Sequence, residues 1–206
     1  MQPPVKVGIV GLGRWARVLA RAARESRDLQ IVAAYSRTPE KRVAFEAEFG
    51  IPGVAELEGL LADPLIRGVI LTVPNEQHWP LAERVASAGK HVYTEKPIAN
   101  TLEDGLRIAA LEARYGVTVT VGHSARLMAG IRSIRGKIDS GELGRVAFIE
   151  ANFSNERALE LTPKAWTGGS RSPSVRGRQT RKPGLRPASR GRCRDPGSRQ
   201  WQGPAA

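Results

Sequence analysis

Two hydrophobic periods alternate along the first 121 residues. Branched residues at Val5, Val7, Ile9 and Val10 make a short apolar run, which predicts a buried strand over 5–10. Ala16, Leu19, Ala20 and Ala23 then recur at helical spacing and give a helix over 14–26 a narrow apolar face. The pair of patterns repeats. A strand is predicted over 30–35. Thr38 follows as an N-cap and Pro39 as a first helical residue, for a helix over 40–49 that Gly50 closes. Residues 51–54 read as a short strand or a link, and Leu57, Leu60 and Leu61 mark a helix over 55–62. Strands over 68–73, 91–94 and 117–121 alternate with helices over 78–88 and 101–114, which Gly89 and Gly116 end. Strands alternating with helices of this length predict an α/β fold: a Rossmann-type doubly wound parallel sheet with helices on both faces.

The pattern changes at Gly122. Residues 123–127 are polar and basic, and 128–139 predict a helix interrupted by Gly130 and Gly136. A turn at 140–144 leads to a strand expected over 145–153. One strand cannot bury its own apolar face, so this stretch reads as the start of an incomplete α/β second domain. From residue 170 the chain is rich in Arg, Gly, Pro and Ser and keeps no period, a composition that predicts disorder. The expected organisation is a dinucleotide-binding domain over 1–121, a fragment of a second domain over 122–169, and a tail over 170–206.

Composition narrows the function classes. The single cysteine, Cys193, excludes an intrachain disulfide and disfavours a thiolate zinc site, so no metal is expected. No apolar stretch is long enough to span a membrane, and cytoplasm is the expected compartment. The net charge of +12 invites a nucleic-acid reading. Its distribution weakens that reading: residues 170–206 hold nine Arg and one Lys against one Asp, which leaves a modest charge on the rest.

The first strand runs into Gly11-Leu12-Gly13-Arg14-Trp15-Ala16. Strand, glycine turn and helix start form a dinucleotide-binding pattern. Gly11 allows the sharp turn, Gly13 lets the backbone approach a pyrophosphate, and Ala16 permits close helix–strand packing. The first N–H groups of the helix then face the phosphates. Arg14 adds positive charge beside them. Trp15 reads equally as a cofactor contact or as a surface residue. At the end of the second strand an acid would favour NAD; this chain has Ser36 and Arg37. A hydroxyl and a guanidinium suit a 2′-phosphate, so NADP is favoured over NAD.

Thr72-Val73-Pro74-Asn75 with His78, then Glu95-Lys96-Pro97, then Gly122-His123 with Arg126 and the 140–144 turn complete a set. Together with the glycine turn, this set resembles the Gfo/Idh/MocA oxidoreductases, the family of glucose–fructose oxidoreductase and inositol dehydrogenase. The likeness covers about residues 4–169. It implies a two-domain enzyme that transfers a hydride between a nicotinamide cofactor and a sugar, polyol or related hydroxy or carbonyl compound. It also implies that Thr72, Pro74, Asn75 and His78 line the cofactor, and that Glu95 orients Lys96 or the cofactor. Lys96 is then the catalytic residue and contacts both cofactor and substrate. His123 is a substrate contact or a packing residue. Family members are often homo-oligomeric through the second domain's sheet, most of which this sequence does not contain.

The family's proton-handling histidine lies beyond the segment matching Gly168-Gly169, and this chain has no histidine after His123. That absence predicts a truncated member whose last residues are read in a shifted frame, with little activity as encoded. Two other readings stand beside the oxidoreductase: a non-catalytic dinucleotide-binding module, and nucleic-acid binding through the basic tail. The last is disfavoured, because Trp201 is the tail's one aromatic residue and no zinc or helix-turn-helix pattern accompanies it.

Overall fold

The computed structural model describes residues 3–152. Five strands, Val5–Val10 (β1), Leu29–Tyr35 (β2), Gly68–Leu71 (β3), His91–Thr94 (β4) and Val119–Val121 (β5), form one sheet in the order β2-β1-β3-β4-β5. Every pairing is parallel. The connecting helices are Arg14–Glu25 (α1), Pro39–Phe49 (α2), Leu57–Ala62 (α3), His78–Ser87 (α4) and Leu102–Tyr115 (α5). Ala129–Asp139 (α6) follows the sheet, and single 3₁₀ turns cover Asn75–Gln77 and Ser124–Leu127.

Two apolar layers cover the sheet. On one side Val7, Ile9, Ile31 and Ala34 meet Ala16 and Ala20 of α1 and Phe45 and Phe49 of α2. On the other, Val10, Val69, Leu71 and Val92 meet Leu57 and Leu60 of α3, Ala82 and Val85 of α4, and Ile108 and Leu111 of α5. Successive residues Ile9 and Val10 belong to opposite layers, as the two-residue period of a strand requires. Thr101 caps α5 by accepting a hydrogen bond from the Asp104 N–H at 3.1 Å, and Gly116 ends it at φ 65°. Lys90 is buried before β4, where its Nζ donates to the carbonyls of Asp63 (2.6 Å) and Ile66 (2.7 Å).

Several expected boundaries move. Residues 51–54 are a link that touches β2 through one bridge, Ala34 to Gly53. The Ala34 N–H donates to Pro52 and the Val54 N–H donates to Ala34, which places the link beside β2 without a ladder. The strand expected over 68–73 stops at Leu71, because its partner β1 ends at Val10 and leaves the sheet at the Gly11 turn. β5 begins at Val119, since the Thr118 N–H is taken by the His91 ring at 3.0 Å. Thr38 occupies the N-cap of α2 but its side chain makes no capping bond. Residues 145–152 are not a strand: among the described residues they have no strand to pair with, and a β ladder needs a partner. Val146, Phe148 and Ile149 are exposed there. The rest of the expected second-domain fragment, 153–169, and the Arg-rich segment 170–206 lie outside the described residues.

Candidate active site at the carboxyl edge of the sheet

In a parallel sheet every strand ends on the same edge, and ligands bind in the crevice where connections leave a strand in opposite directions. Here that strand is β1, flanked by β2 and β3. It ends in the glycine turn. Gly11 sits at φ 92°, a conformation that favours glycine. A Cβ there would lie 2.7 Å from Val73 Cγ1 and 2.9 Å from the Thr72 carbonyl carbon and oxygen. The Thr72 hydroxyl donates to the Gly11 carbonyl at 2.5 Å, and its N–H donates to Val10 at 2.9 Å. Thr72 therefore clasps the turn from the end of β3, a role the sequence assigned only loosely as cofactor lining.

Gly13 is the extended N-cap of α1, and a Cβ on it would meet nothing within 4 Å. The space before the helix is open and no acid stands in the first turn. Ala16, fully buried, lets α1 pack closely on the sheet. Trp15 is half-buried, and its indole Nε1 has no acceptor among the described residues. An orphaned donor, an open glycine backbone and exposed Arg14 in one helical turn fit an anionic group such as a pyrophosphate.

At the end of β2, the Ser36 hydroxyl accepts from the Thr38 N–H at 3.3 Å, and its carbonyl accepts from Arg42 Nη1 at 2.5 Å. Arg42 thus holds the Ser36–Thr38 loop down onto α2. Arg37 is exposed and makes no ion pair among the described residues. Residues 36 and 37 of this loop carry a hydroxyl and a guanidinium.

β4 brings in the third element. Thr94 and Glu95 are buried, Lys96 is exposed, and the Lys96–Pro97 peptide bond is cis. The Glu95 carboxylate accepts from the Tyr93 hydroxyl at 3.4 Å and from the Lys96 N–H at 3.3 Å. Burial, then the Glu95 charge and hydrogen bond, pushes the Tyr93 hydroxyl up to about 12. Gly122 packs directly on this pair: a Cβ there would overlap Tyr93 Oη and stand 2.7 Å from Glu95 Oε1. Glu95 is thus held by Tyr93 and the Lys96 N–H and covered by Gly122, while Lys96 is exposed at the carboxyl edge of the sheet. His123, exposed, follows Gly122 and sits at the same edge.

Pro74 is exposed and Asn75 is buried in the loop after β3. His78 is fully buried, with Nδ1 3.0 Å from the Pro97 carbonyl oxygen and Nε2 3.2 Å from that of Val73. In the segment that the resemblance sets along the cofactor, both ring nitrogens of His78 lie against backbone carbonyl oxygens in the interior.

The model of the oxidoreductase family with an NAD-binding Rossmann fold matches residues 5–123, more than half of the chain. The chain belongs to the Gfo/Idh/MocA oxidoreductase family. Gfo/Idh/MocA proteins are NAD(P)-dependent oxidoreductases that act on sugars and polyols. One relative is a 1-carboxy-3-chloro-3,4-dihydroxycyclohexa-1,5-diene dehydrogenase of Comamonas testosteroni. It is 36% identical over 164 residues, which cover 76% of this chain and 41% of that protein. An oxidoreductase from Desulfitobacterium hafniense DCB-2, provisionally assigned as NADPH-dependent, superposes with a TM-score of 0.79. It has 43% identity over 84% of this chain and 50% of its own. The apo scyllo-inositol dehydrogenase of Lactobacillus casei gives a TM-score of 0.64 and 27% identity over 70% of this chain and 44% of its own. The chain spans about half the length of the Gfo/Idh/MocA relatives it matches.

Tyr93 and Arg42 at this edge escape a reading of the sequence. Tyr93 looked like an ordinary strand residue, yet it shares Glu95 with the Lys96 backbone. Gly122 belongs to the set that carries the family resemblance, and its need for glycine comes from Tyr93 and Glu95. Arg42 carries no sequence signal, because its partner is a backbone carbonyl. No cluster of three or more His, Cys, Asp or Glu side chains fit for a metal occurs among the described residues. Among them, no helix is long and apolar enough to cross a membrane.

Proposed function

We propose that residues 3–152 form the cofactor-binding half of an NADP-dependent oxidoreductase. In this reading Lys96 is the catalytic residue and the substrate is a sugar, a polyol or a related hydroxy or carbonyl compound. One observation carries the reading. The glycine turn after β1, clasped by Thr72 from the end of β3, the Ser36–Arg37 loop after β2 and the Glu95–Lys96 pair after β4 all lie on one edge of the parallel sheet.

Gly11, Gly13, Arg14, Trp15 and Ala16 would cradle the pyrophosphate. Ser36 and Arg37 would hold the 2′-phosphate. Thr72, Pro74 and Asn75 would line the ribose on the nicotinamide side, with Glu95 and Lys96 beyond them. A bound nicotinamide ring supplies or accepts the hydride. The Lys96 ammonium would hold the oxygen of the reacting carbon, where a cation stabilises developing negative charge. Glu95, fixed by Tyr93, would keep the lysine backbone in place. His123, exposed at the same edge, would touch the substrate or share its proton. The cytoplasm suits such a cofactor and is the compartment we assign.

A second reading, dinucleotide binding without turnover, rests on the glycine turn clasped by Thr72 and asks nothing of Lys96. Calorimetric titration with NADPH and NADH, followed by a turnover screen of polyols and sugars, separates the two. NADPH binding with turnover that Lys96→Met abolishes supports the enzyme. Binding without turnover supports the module. Failure to bind either nucleotide overturns both.

A further inference from the structure

His78 touches two loops that the proposed function places at different parts of one ligand. Its Nε2 lies 3.2 Å from the Val73 carbonyl oxygen. Val73 belongs to the loop that packs on the glycine turn, since its Cγ1 would stand 2.7 Å from a Cβ on Gly11. On the other side, Nδ1 lies 3.0 Å from the Pro97 carbonyl oxygen and 3.3 Å from that of Ile98. Pro97 is bonded to Lys96. The ring is fully buried, so no water competes for these contacts. A carbonyl oxygen only accepts, so a hydrogen on either ring nitrogen ties down one loop, while the rigid ring fixes its distance from the other. An apolar ring of equal size would fill the space and leave both loops without a donor.

We propose that His78 is a positioning residue that sets the spacing between the pyrophosphate turn and the catalytic lysine. It acts through Val73 on one side and Pro97 on the other. The inference rests on the dinucleotide-binding function proposed above. It predicts that His78 matters for the nicotinamide end of the ligand and leaves the adenosine end alone. Ser36 and Arg37 belong to the loop after β2, whereas the His78 ring nitrogens lie against the carbonyl oxygens of Val73, Pro97 and Ile98.

Two ligands separate these ends. Adenosine 2′,5′-bisphosphate carries the adenine, ribose, 2′-phosphate and 5′-phosphate; NADPH adds the second phosphate of the pyrophosphate, the nicotinamide ribose and the nicotinamide. In the full chain, His78→Phe removes the ring N–H and keeps an aromatic ring. We expect it to weaken NADPH binding about tenfold, the worth of one buried hydrogen bond, with adenosine 2′,5′-bisphosphate affinity held within about twofold. His78→Gln restores one donor and should recover part of the NADPH affinity. In both variants the amides of Lys96 and Ile98 should exchange with solvent faster, while those of β1 stay protected. Unchanged NADPH affinity in His78→Phe overturns the inference. So does an equal loss for both ligands, or a loss that His78→Gln does not recover, since each marks a merely structural ring. If His78→Phe fails to fold, His78→Gln decides alone: NADPH affinity and Lys96 exchange equal to wild type overturn the inference. A wild-type chain that binds neither ligand overturns the proposed function, and this inference with it.

Discussion

The Thr72 hydroxyl donates to the Gly11 carbonyl at 2.5 Å, so the end of β3 holds the glycine turn that follows β1. The contact joins residues 61 positions apart at the point where the chain's connections diverge. It also leaves no room for a side chain on Gly11, whose Cβ would meet Thr72 and Val73. Gly11→Ala should therefore do two kinds of damage: a strained backbone costing about 1–3 kcal/mol, and a displaced Thr72 clasp. The expected outcome is a lower melting temperature together with loss of measurable NADPH binding by calorimetry. Thr72→Val, which keeps the shape, should leave the fold intact and weaken binding by a smaller factor.

Arg37 at the end of β2 makes no ion pair among the described residues, and Arg42 fixes its loop through the Ser36 carbonyl. Charge-assisted hydrogen bonds contribute about 1.5–3 kcal/mol, so Arg37→Ala should lower NADPH affinity roughly 10- to 100-fold. NADH affinity should stay near the wild-type value. Arg42→Met should narrow the same preference less. Parallel titrations with both nucleotides read the ratio directly, and an unchanged ratio in Arg37→Ala would place the 2′-phosphate elsewhere.

The Tyr93 hydroxyl is pushed up to about 12, chiefly by burial and then by the Glu95 carboxylate. The chain has three tyrosines, so an ultraviolet titration should resolve one that ionises near 12 and vanishes in Tyr93→Phe. The raised value means that Tyr93 favours the folded state while protonated. That contribution is full below the ordinary value of 10.0 and is lost as pH rises through about 12. Gly122→Ala, which pushes into Tyr93 and Glu95, should bring the tyrosine's titration back toward the ordinary range.

Glu48 of α2 links to α1 through Arg17 at 2.7 Å and Arg21 at 2.8 Å. The Arg17 hydrogen bond, more than the Arg21 bond, holds its carboxyl below the ordinary 4.5. A depressed carboxylate stabilises the fold above the unfolded value, and the effect disappears as pH falls through the folded one. Thermal melts across the acid range should show a fall in stability below about pH 4.5. In Glu48→Gln that slope should be shallower, with a lower plateau near neutrality. Equal slopes in the two proteins would remove Glu48 from the account.

Much of this edge was legible in the sequence because its signals are local. The strand over His91–Thr94 and the Glu95–Lys96 pair after it were placed to the residue. So was the helix start at Arg14, where the glycine turn and the helical spacing of Ala16 and Ala20 agree. What escaped depends on partners distant in the chain. Nothing near His78 announces that its ring meets a carbonyl at Pro97, and nothing near Gly122 announces Tyr93. The strand expected over 145–153 failed for the opposite reason. Its alternation is real, but alternation specifies a face and not a neighbour. The helix over Ala129–Asp139 was likewise recognised from its pattern, yet none of its residues is buried.

That last feature bears on how the purified chain would behave. Leu127, Met128, Ile131, Ile134, Phe148 and Ile149 present oily side chains to water, on a protein whose five-stranded core is closed on both faces. A hydrophobic dye should therefore light up on the native chain, a signal normally taken to mean a loosened core. Here the dye would report greasy skin on a tightly packed body, and its fluorescence would persist until the core itself melts.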